Sequence, residues 1–356
     1  MDNKKLKTAL DKWYNIQPLS EDDRNRLSRR FTIDFNYNSN HIEGNTLTYG
    51  QTEILLLFGK VIGEADVKDV QDMAASNVAL RMASEEANFR DIPLTQNFIR
   101  TLHKTLLREY YTVYRNLPGG VQTSYTVHAG QYKTRHNSVI TRYGDRFEYA
   151  SPEETPSLMT DLVDWYNDEE QKGKLHPVEL AILFHYRYIR IHPFEDGNGR
   201  IARLMMNYIL SRHNLPMIVV RSRLKQYYLE ALHQADIIVG KMPAEGANAS
   251  LKNIRPFCKY MMQLIAQEVE NDVLFVSEKS ENVWWYDGEQ IKFRTATYGN
   301  LLRELQLEPA ATFAYLQKTI GINRSAIQKM LQTMQDKGYI AKDDKGSWRV
   351  FINPSV

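Results

Sequence analysis

The stretch HPFEDGNGR, residues 192–200, lies between two apolar runs of helical periodicity, HPVELAILFHYRYIRI before it and RIARLMMNYILSRHN after it. No other feature constrains the chain as much, because a core has no use for an imidazole, acids and an arginine in such a turn. Pro193 disfavours the α region at His192, so the first helix is expected to end there with the imidazole at its tip. Gly197-Asn198-Gly199 permits positive φ and close approach of backbone N–H groups to a ligand. The second helix is expected to start at about Asn198 to Arg200, and a glycine-rich turn feeding a helix N-terminus is an anion site.

Arg200 and Arg203 in the first turn face the helix dipole with like charge, at a cost of about 0.3 kcal/mol or more. Three apart, they share a face from which both can reach a polyphosphate. Asp196 would repel that phosphate unless a divalent cation sat between them, and Mg²⁺ with one or two carboxylates is the usual arrangement. His192 is suited to take a proton from an attacking hydroxyl. These parts assemble into a nucleotide-phosphate transfer site. Taken singly each is weak: a lone Gly-x-Gly before a helix is a common turn, a histidine at a helix end is usually structural, and Phe194 is simplest as a core anchor. His185 and His192 lie seven apart, but no third histidine or cysteine follows at ligand spacing, which argues against zinc. The conjunction at fixed spacing favours the site.

Around this centre the pattern is mainly α. Helical periodicity runs from about Leu6 to Leu107, with Ser20 as the N-cap of a helix that closes on Gly44. Further helices are expected over TYGQTEILLLFGKV, VKDVQDMAASNVALRMASEEA and TQNFIRTLHKTLLREY. Residues 117–150 are glycine-punctuated, and Val139–Thr141 is expected to pair with Phe147–Tyr149 around Tyr143-Gly144-Asp145. Helices resume at SPEETPSLMTDLVDWYND, through the two flanking runs, and at LKQYYLEALHQADIIV; KMPAEGANAS reads as a loop before RPFCKYMMQLIAQEVENDVLF. SEKSEN (277–282) is the expected boundary before a strand pair, a helix–turn–helix around Gly321 and a strand pair around DDKGS, the order of a winged helix-turn-helix. With 356 residues, more than one domain is expected: 1–100 helical, 101–276 a catalytic core, 283–356 the winged module.

One cysteine, Cys258, excludes an intrachain disulfide and a multi-thiolate site. The N-terminus has no apolar signal core and no run reaches the length of a membrane helix. A cytoplasmic protein without a membrane partner is expected. The formal net charge of +2 by itself points to no polyanion partner.

HPFEDGNGRIAR (192–203) resembles the full motif of the Fic-domain family, HxFx(D/E)GNGRxxR, at every defining position. The resemblance implies a Fic-type helical bundle with a β-hairpin flap, and a transferase moving AMP from ATP to a protein hydroxyl with release of pyrophosphate. It implies that His192 is the general base, Phe194 seats the loop in the core, and Asp196 holds Mg²⁺. Gly197, Asn198 and Gly199 would form the anion hole, with Arg200 and Arg203 on the β- and γ-phosphates. The hairpin with Ser138, Val139, Ile140 and Thr141 lies where the family carries a flap that pairs with the target backbone. Tyr227 and Tyr228 fall in a stretch similar to the family's nucleobase pocket; two aromatics on a buried helix face is the plainer alternative.

SNHIEGN (39–45) places Glu43 in the last turn of the helix that Gly44 ends, where its charge opposes the dipole, so a cationic partner is expected. Ser39 shares its face. Ser39, Glu43 and Gly44 resemble the family's inhibitory motif, (S/T)xxxE(G/N), which implies that Glu43 pairs with Arg203 and so misaligns ATP.

Other functions compete with this. A nucleotide-sensing DNA-binding regulator is one, yet residues 311–356 carry seven Lys/Arg against three Asp/Glu, a modest excess that favours protein docking over DNA. A Fic-fold enzyme moving another phosphate-containing group, or removing AMP, is another. Self-modification and homodimerisation stay open.

Overall fold

The structure, a computed structural model, describes residues 3–116, 122–140 and 146–351. Helices α1 (Lys4–Asn15), α2 (Glu21–Ile42), α3 (Tyr49–Phe58), α4 (Val67–Glu86) and α5 (Gln96–Leu107) come first. Two hairpins follow, β1 (Tyr111–Asn116) with β2 (Gln122–Val127), and β3 (Ser138–Ile140) with β4 (Arg146–Glu148). Then come α6 (Thr155–Lys172), α7 (Pro177–Ile191), α8 (Asn198–Arg212), α9 (Lys225–Val239), α10 (Pro243–Ala247) and α11 (Arg255–Ser277). The C-terminal part is β5 (Val283–Tyr286), β6 (Glu289–Lys292), α12 (Ala296–Leu307), α13 (Phe313–Ile320), α14 (Arg324–Asp336), β7 (Ile340–Lys342) and β8 (Trp348–Val350). The chain is thus mainly helical, with two-stranded antiparallel sheets among the described residues.

Contacts divide the chain into two units that are not sequential. One comprises Met1–Gln17, Asn38–Gly44 and Ala75–Glu270; the other comprises Pro18–Tyr37, Asn45–Ala74 and Asn271–Val356. This differs from the expected division at 100 and 277–282, because segments far apart in sequence supply apolar faces to one core.

The first unit is built on α7 and α8, which pack on each other and are buried around most of their circumference. Such all-round burial marks the centre of a helical domain. α7 opens with a capping box between His176 and Glu179 and with Pro177, whose fixed φ suits the first turn. Helix α6 packs on α7, and α5 on α6 and α8. In the second unit, Leu301, Leu302, Leu305, Leu316, Ile327 and Leu331 form a core beneath α12–α14. Thr312 and Asn323 cap α13 and α14, and Gly321 at φ 75 ends α13.

Three differences from expectation have local causes. KMPAEGANAS is not all loop: α10 forms there, started by Pro243 at its first turn. α5 stops at Leu107 rather than running into REY, with Arg108 at φ 67, and β1 begins three residues later. α12 lies in a stretch to which no element had been assigned. No described helix is long and apolar enough to cross a membrane.

Candidate functional site

As Pro193 dictates, α7 ends at Ile191, and His192 caps it in the left-handed region at φ 52, ψ 60. That conformation is costly for a side chain with a Cβ, so neighbours must enforce it. Lys133, only 3% exposed, reaches in from the loop after β2 and donates to the carbonyls of Ile191 (3.2 Å) and His192 (2.9 Å). A cation on the last carbonyls of a helix also complements its dipole.

The rest of the turn is held with similar thoroughness. Asn198 accepts from the Phe194 N–H (3.0 Å) and donates to the Phe194 carbonyl (2.8 Å). Phe194 is fully buried, with its ring stacked at 3.7 Å on His103. Because the Gly130 N–H donates to His103 Nδ1, Nε2 carries the proton and donates to the Asp196 carbonyl at 2.9 Å. Gly197 has φ 76, and a Cβ there would sit 3.5 Å from the His103 ring. Glycine is therefore required on conformational grounds. The anchoring of Phe194 proposed from sequence is what its burial produces, and His103 is its unforeseen platform.

The charged groups converge above this platform. The Asp196 carboxylate accepts from Gly197 N–H (2.7 Å) and from the Tyr111 hydroxyl (2.5 Å), and lies 3.6 Å from Arg200 Nη2. Burial works to raise its pKa, but Arg200, the Tyr111 hydroxyl and the Gly197 N–H outweigh that and keep the carboxyl below its usual range. Burial, assisted by the Lys133 charge, pushes the His192 imidazole down to about 3. His192 is thus neutral, and its buried Nδ1 has no hydrogen-bond partner among the described residues. Its ring stacks on Tyr149 at 3.9 Å with 9° between planes.

Arg203, 2% exposed, is already engaged. Nε donates to Ser39 Oγ (3.0 Å), and Nη2 to the Ser39 carbonyl (2.9 Å) and to Glu43 Oε1 (2.6 Å). The partner expected for Glu43 is therefore the one observed. Its setting differs slightly: α2 ends at Ile42, and Glu43 lies in the following turn, closed by Gly44 at φ 98. The carboxylate also lies against Gly199, where a Cβ would come within 2.6 Å of Oε1. An anion thus occupies the N-terminus of α8, where free N–H groups favour one.

Tyr227 and Tyr228 are not brought together. Adjacent positions on a helix diverge, and Tyr227 is 67% exposed while Tyr228 is buried. The Tyr228 hydroxyl donates to His185 Nε2 (2.7 Å), and His185 Nδ1 donates to the Ala202 carbonyl (3.1 Å). In the second hairpin Ser138 pairs with Glu148, Val139 with Phe147 and Ile140 with Arg146. The paired residues thus begin at Ser138; Thr141 lies outside the described residues, and Tyr149 has left the strand for His192. Among the described residues no cluster of three metal-ligating side chains occurs.

Sequence reasoning missed Lys133, His103, Tyr111 and Tyr149. Only His103 had a signal: it sits on the apolar face of α5 with Ile99, Leu102 and Leu106. Burial pushes His103 down to about 4 and His185 down to about 3. Both fold as neutral rings, whereas in the unfolded chain they protonate near 6.5. Between these values the unfolded state binds more protons, so stability is present above about pH 6.5 and is lost as pH falls toward 4. Each ring contributes up to about 1.4 kcal/mol per pH unit in that window. Urea midpoints that stay flat from pH 7 to pH 4.5 would contradict neutral burial.

A family model described as the Fic/DOC family matches residues 93–210. A Fic domain containing signaling protein from Bacteroides thetaiotaomicron is 48% identical, with 78% of this chain and 98% of that chain covered at a TM-score of 0.71. Fic-1 from Caenorhabditis elegans, 24% identical over 78% of this chain and 73% of that chain, shares the fold at a TM-score of 0.60. Protein adenylyltransferase fic-1 of Caenorhabditis briggsae is 28% identical over 284 residues, 80% of this chain and 50% of that protein. The chain spans about half the length of the curated relatives it matches. A left-handed histidine at the tip of one buried helix, a glycine-bounded start to the next and near-complete coverage of a 48%-identical relative lead to one conclusion: this chain belongs to the Fic family.

Proposed function

We propose that the chain is a protein adenylyltransferase, transferring AMP from ATP to a hydroxyl of a protein, itself included, with release of pyrophosphate. What carries the proposal is the anion already lodged at α8: a carboxylate on Arg203 and against Gly199, in the place a phosphate would take. The named curated relatives support the same chemistry.

In this mechanism the hydroxyl oxygen attacks the α-phosphorus, and the bond from that phosphorus to the bridging oxygen of the leaving pyrophosphate breaks. His192 takes the hydroxyl proton. The tautomer that carries its proton on Nδ1 leaves Nε2 free to accept. Gly197, Asn198 and Gly199 supply N–H groups to the phosphates, and Arg200 and Arg203 supply charge. Mg²⁺ fits the donor set, since a magnesium site needs only one or two carboxylates when substrate phosphates complete it. Asp196, ionised and half exposed, would hold it; when bound, the ion neutralises phosphate charge.

Ser39, Glu43 and Gly44 act here as a brake, because Arg203 cannot serve both Glu43 and a γ-phosphate. The edge formed by Ser138, Val139 and Ile140 receives the target strand. For the nucleobase pocket Tyr228 is withdrawn from contact by its bond to His185, which leaves Tyr227 as the available ring of the pair.

The C-terminal module would act as a winged helix that docks protein rather than DNA. The exposed face of α14 carries Gln328, Gln332 and Gln335 beside Arg324 and Lys329, too little clustered charge for strong phosphate contact. A reducing, cytoplasmic setting accords with the free, buried Cys258. The deciding experiment is intact-mass analysis of the wild type and the Glu43→Gly variant with ATP and Mg²⁺. Addition of one AMP supports the proposal, addition of a phosphate alone indicates the alternative that moves another phosphate-containing group, and no addition to either chain or added protein overturns it.

A further inference from the structure

A histidine's χ2 is a broad, soft torsion, so fixing the backbone of His192 does not fix the plane of its ring. Lys133 grips the His192 carbonyl, and the His192 N–H bonds the Tyr188 carbonyl at 2.9 Å. Neither contact touches the imidazole. The flat surface that does is Tyr149, with ring centroids 3.9 Å apart and planes 9° apart. Tyr149 is itself held. Phe147 meets it edge-on at 5.4 Å, and the Arg190 guanidinium lies 5.0 Å over Phe147. Arg190 is anchored to the carbonyls of Gly240 (2.8 Å) and Met242 (3.1 Å).

We propose that Tyr149 is a positioning residue for the transfer, its ring setting the plane of the His192 imidazole so that Nε2 meets the incoming hydroxyl. This rests on the proposed AMP transfer. Tyr149 directly follows β4, whose partner β3 is the edge offered to the target. Strand pairing by the target and alignment of the base therefore run through one short piece of backbone, which ties docking to proton transfer.

The test uses the full chain in the Glu43→Gly background. Tyr149→Leu keeps bulk but removes the flat face; Tyr149→Phe keeps the face and removes the hydroxyl. A displacement of the base by about 1 Å costs roughly a hundredfold in rate. The Leu variant is therefore expected to lose about ten- to a hundredfold in kcat with KM for ATP within about twofold, and the Phe variant to restore most of it. The His192 Cε1 proton, identified by its absence in His192→Asn, should be shifted upfield by the Tyr149 ring in the parent and the Phe variant and return downfield in the Leu variant. Retained kcat in the Leu variant overturns the proposal, as does a loss matched by weakened ATP binding or by a reduced folded fraction. Should the Glu43→Gly parent transfer no AMP at all, the transfer reading fails. The proton shift then still decides whether Tyr149 holds the ring, and an unshifted resonance in the parent refutes that too.

Discussion

Replacing Glu43 with glycine is expected to raise AMP incorporation about ten- to a hundredfold, read as intact mass with ATP and Mg²⁺. The Glu43 carboxylate makes a charge-assisted bond to Arg203 at 2.6 Å, and bonds of that type contribute about 1.5–3 kcal/mol. As an occupancy ratio this is roughly ten- to a hundredfold. Ser39 still grips Arg203 through its hydroxyl and carbonyl, so the guanidinium stays in place and gains a free direction. Tighter ATP binding should accompany the gain. Equal labelling of variant and parent would assign the restraint to some other contact.

Loss of the imidazole is expected to act in the opposite direction and to separate binding from chemistry. In the Glu43→Gly background, His192→Asn should lower labelling by about 10²–10⁴, the usual contribution of a general base. ATP affinity by calorimetry should stay within about twofold. Asparagine is the better replacement than alanine because His192 sits at φ 52, a region asparagine tolerates. An alanine there would confound lost chemistry with backbone strain. If ATP binding falls with labelling, His192 contacts the nucleotide and its role as a base on the hydroxyl is wrong.

How much of this was legible in the sequence depended on the range of the interaction. Pro193, Gly197 and the apolar periodicity of α7 and α8 act within a few residues, and the tip, turn and restart they dictate are where the structure has them. Glu43 was legible for a different reason: a charge at the unfavourable end of a helix needs a cationic partner, and the resemblance to the family's inhibitory motif named Arg203. Lys133 and Tyr149 left no such trace. Both lie in glycine-punctuated chain between elements, and only tertiary folding brings them to the end of α7. The pairing starts at Ser138, one residue before Val139, and Tyr149 lies beyond the paired strand, stacked on His192. α10 was missed because five residues carry too little periodicity to register.

A mutational search for overactive forms of this protein would be blind at one position. A Cβ at Gly199 would come within 2.6 Å of Glu43 Oε1, and under the proposed function a nucleotide phosphate would meet it in the same place. Gain-of-function alleles should therefore gather at 39 and 43 and be missing from 199, so restraint and competence can be lost separately only by changing the tenant and never the berth.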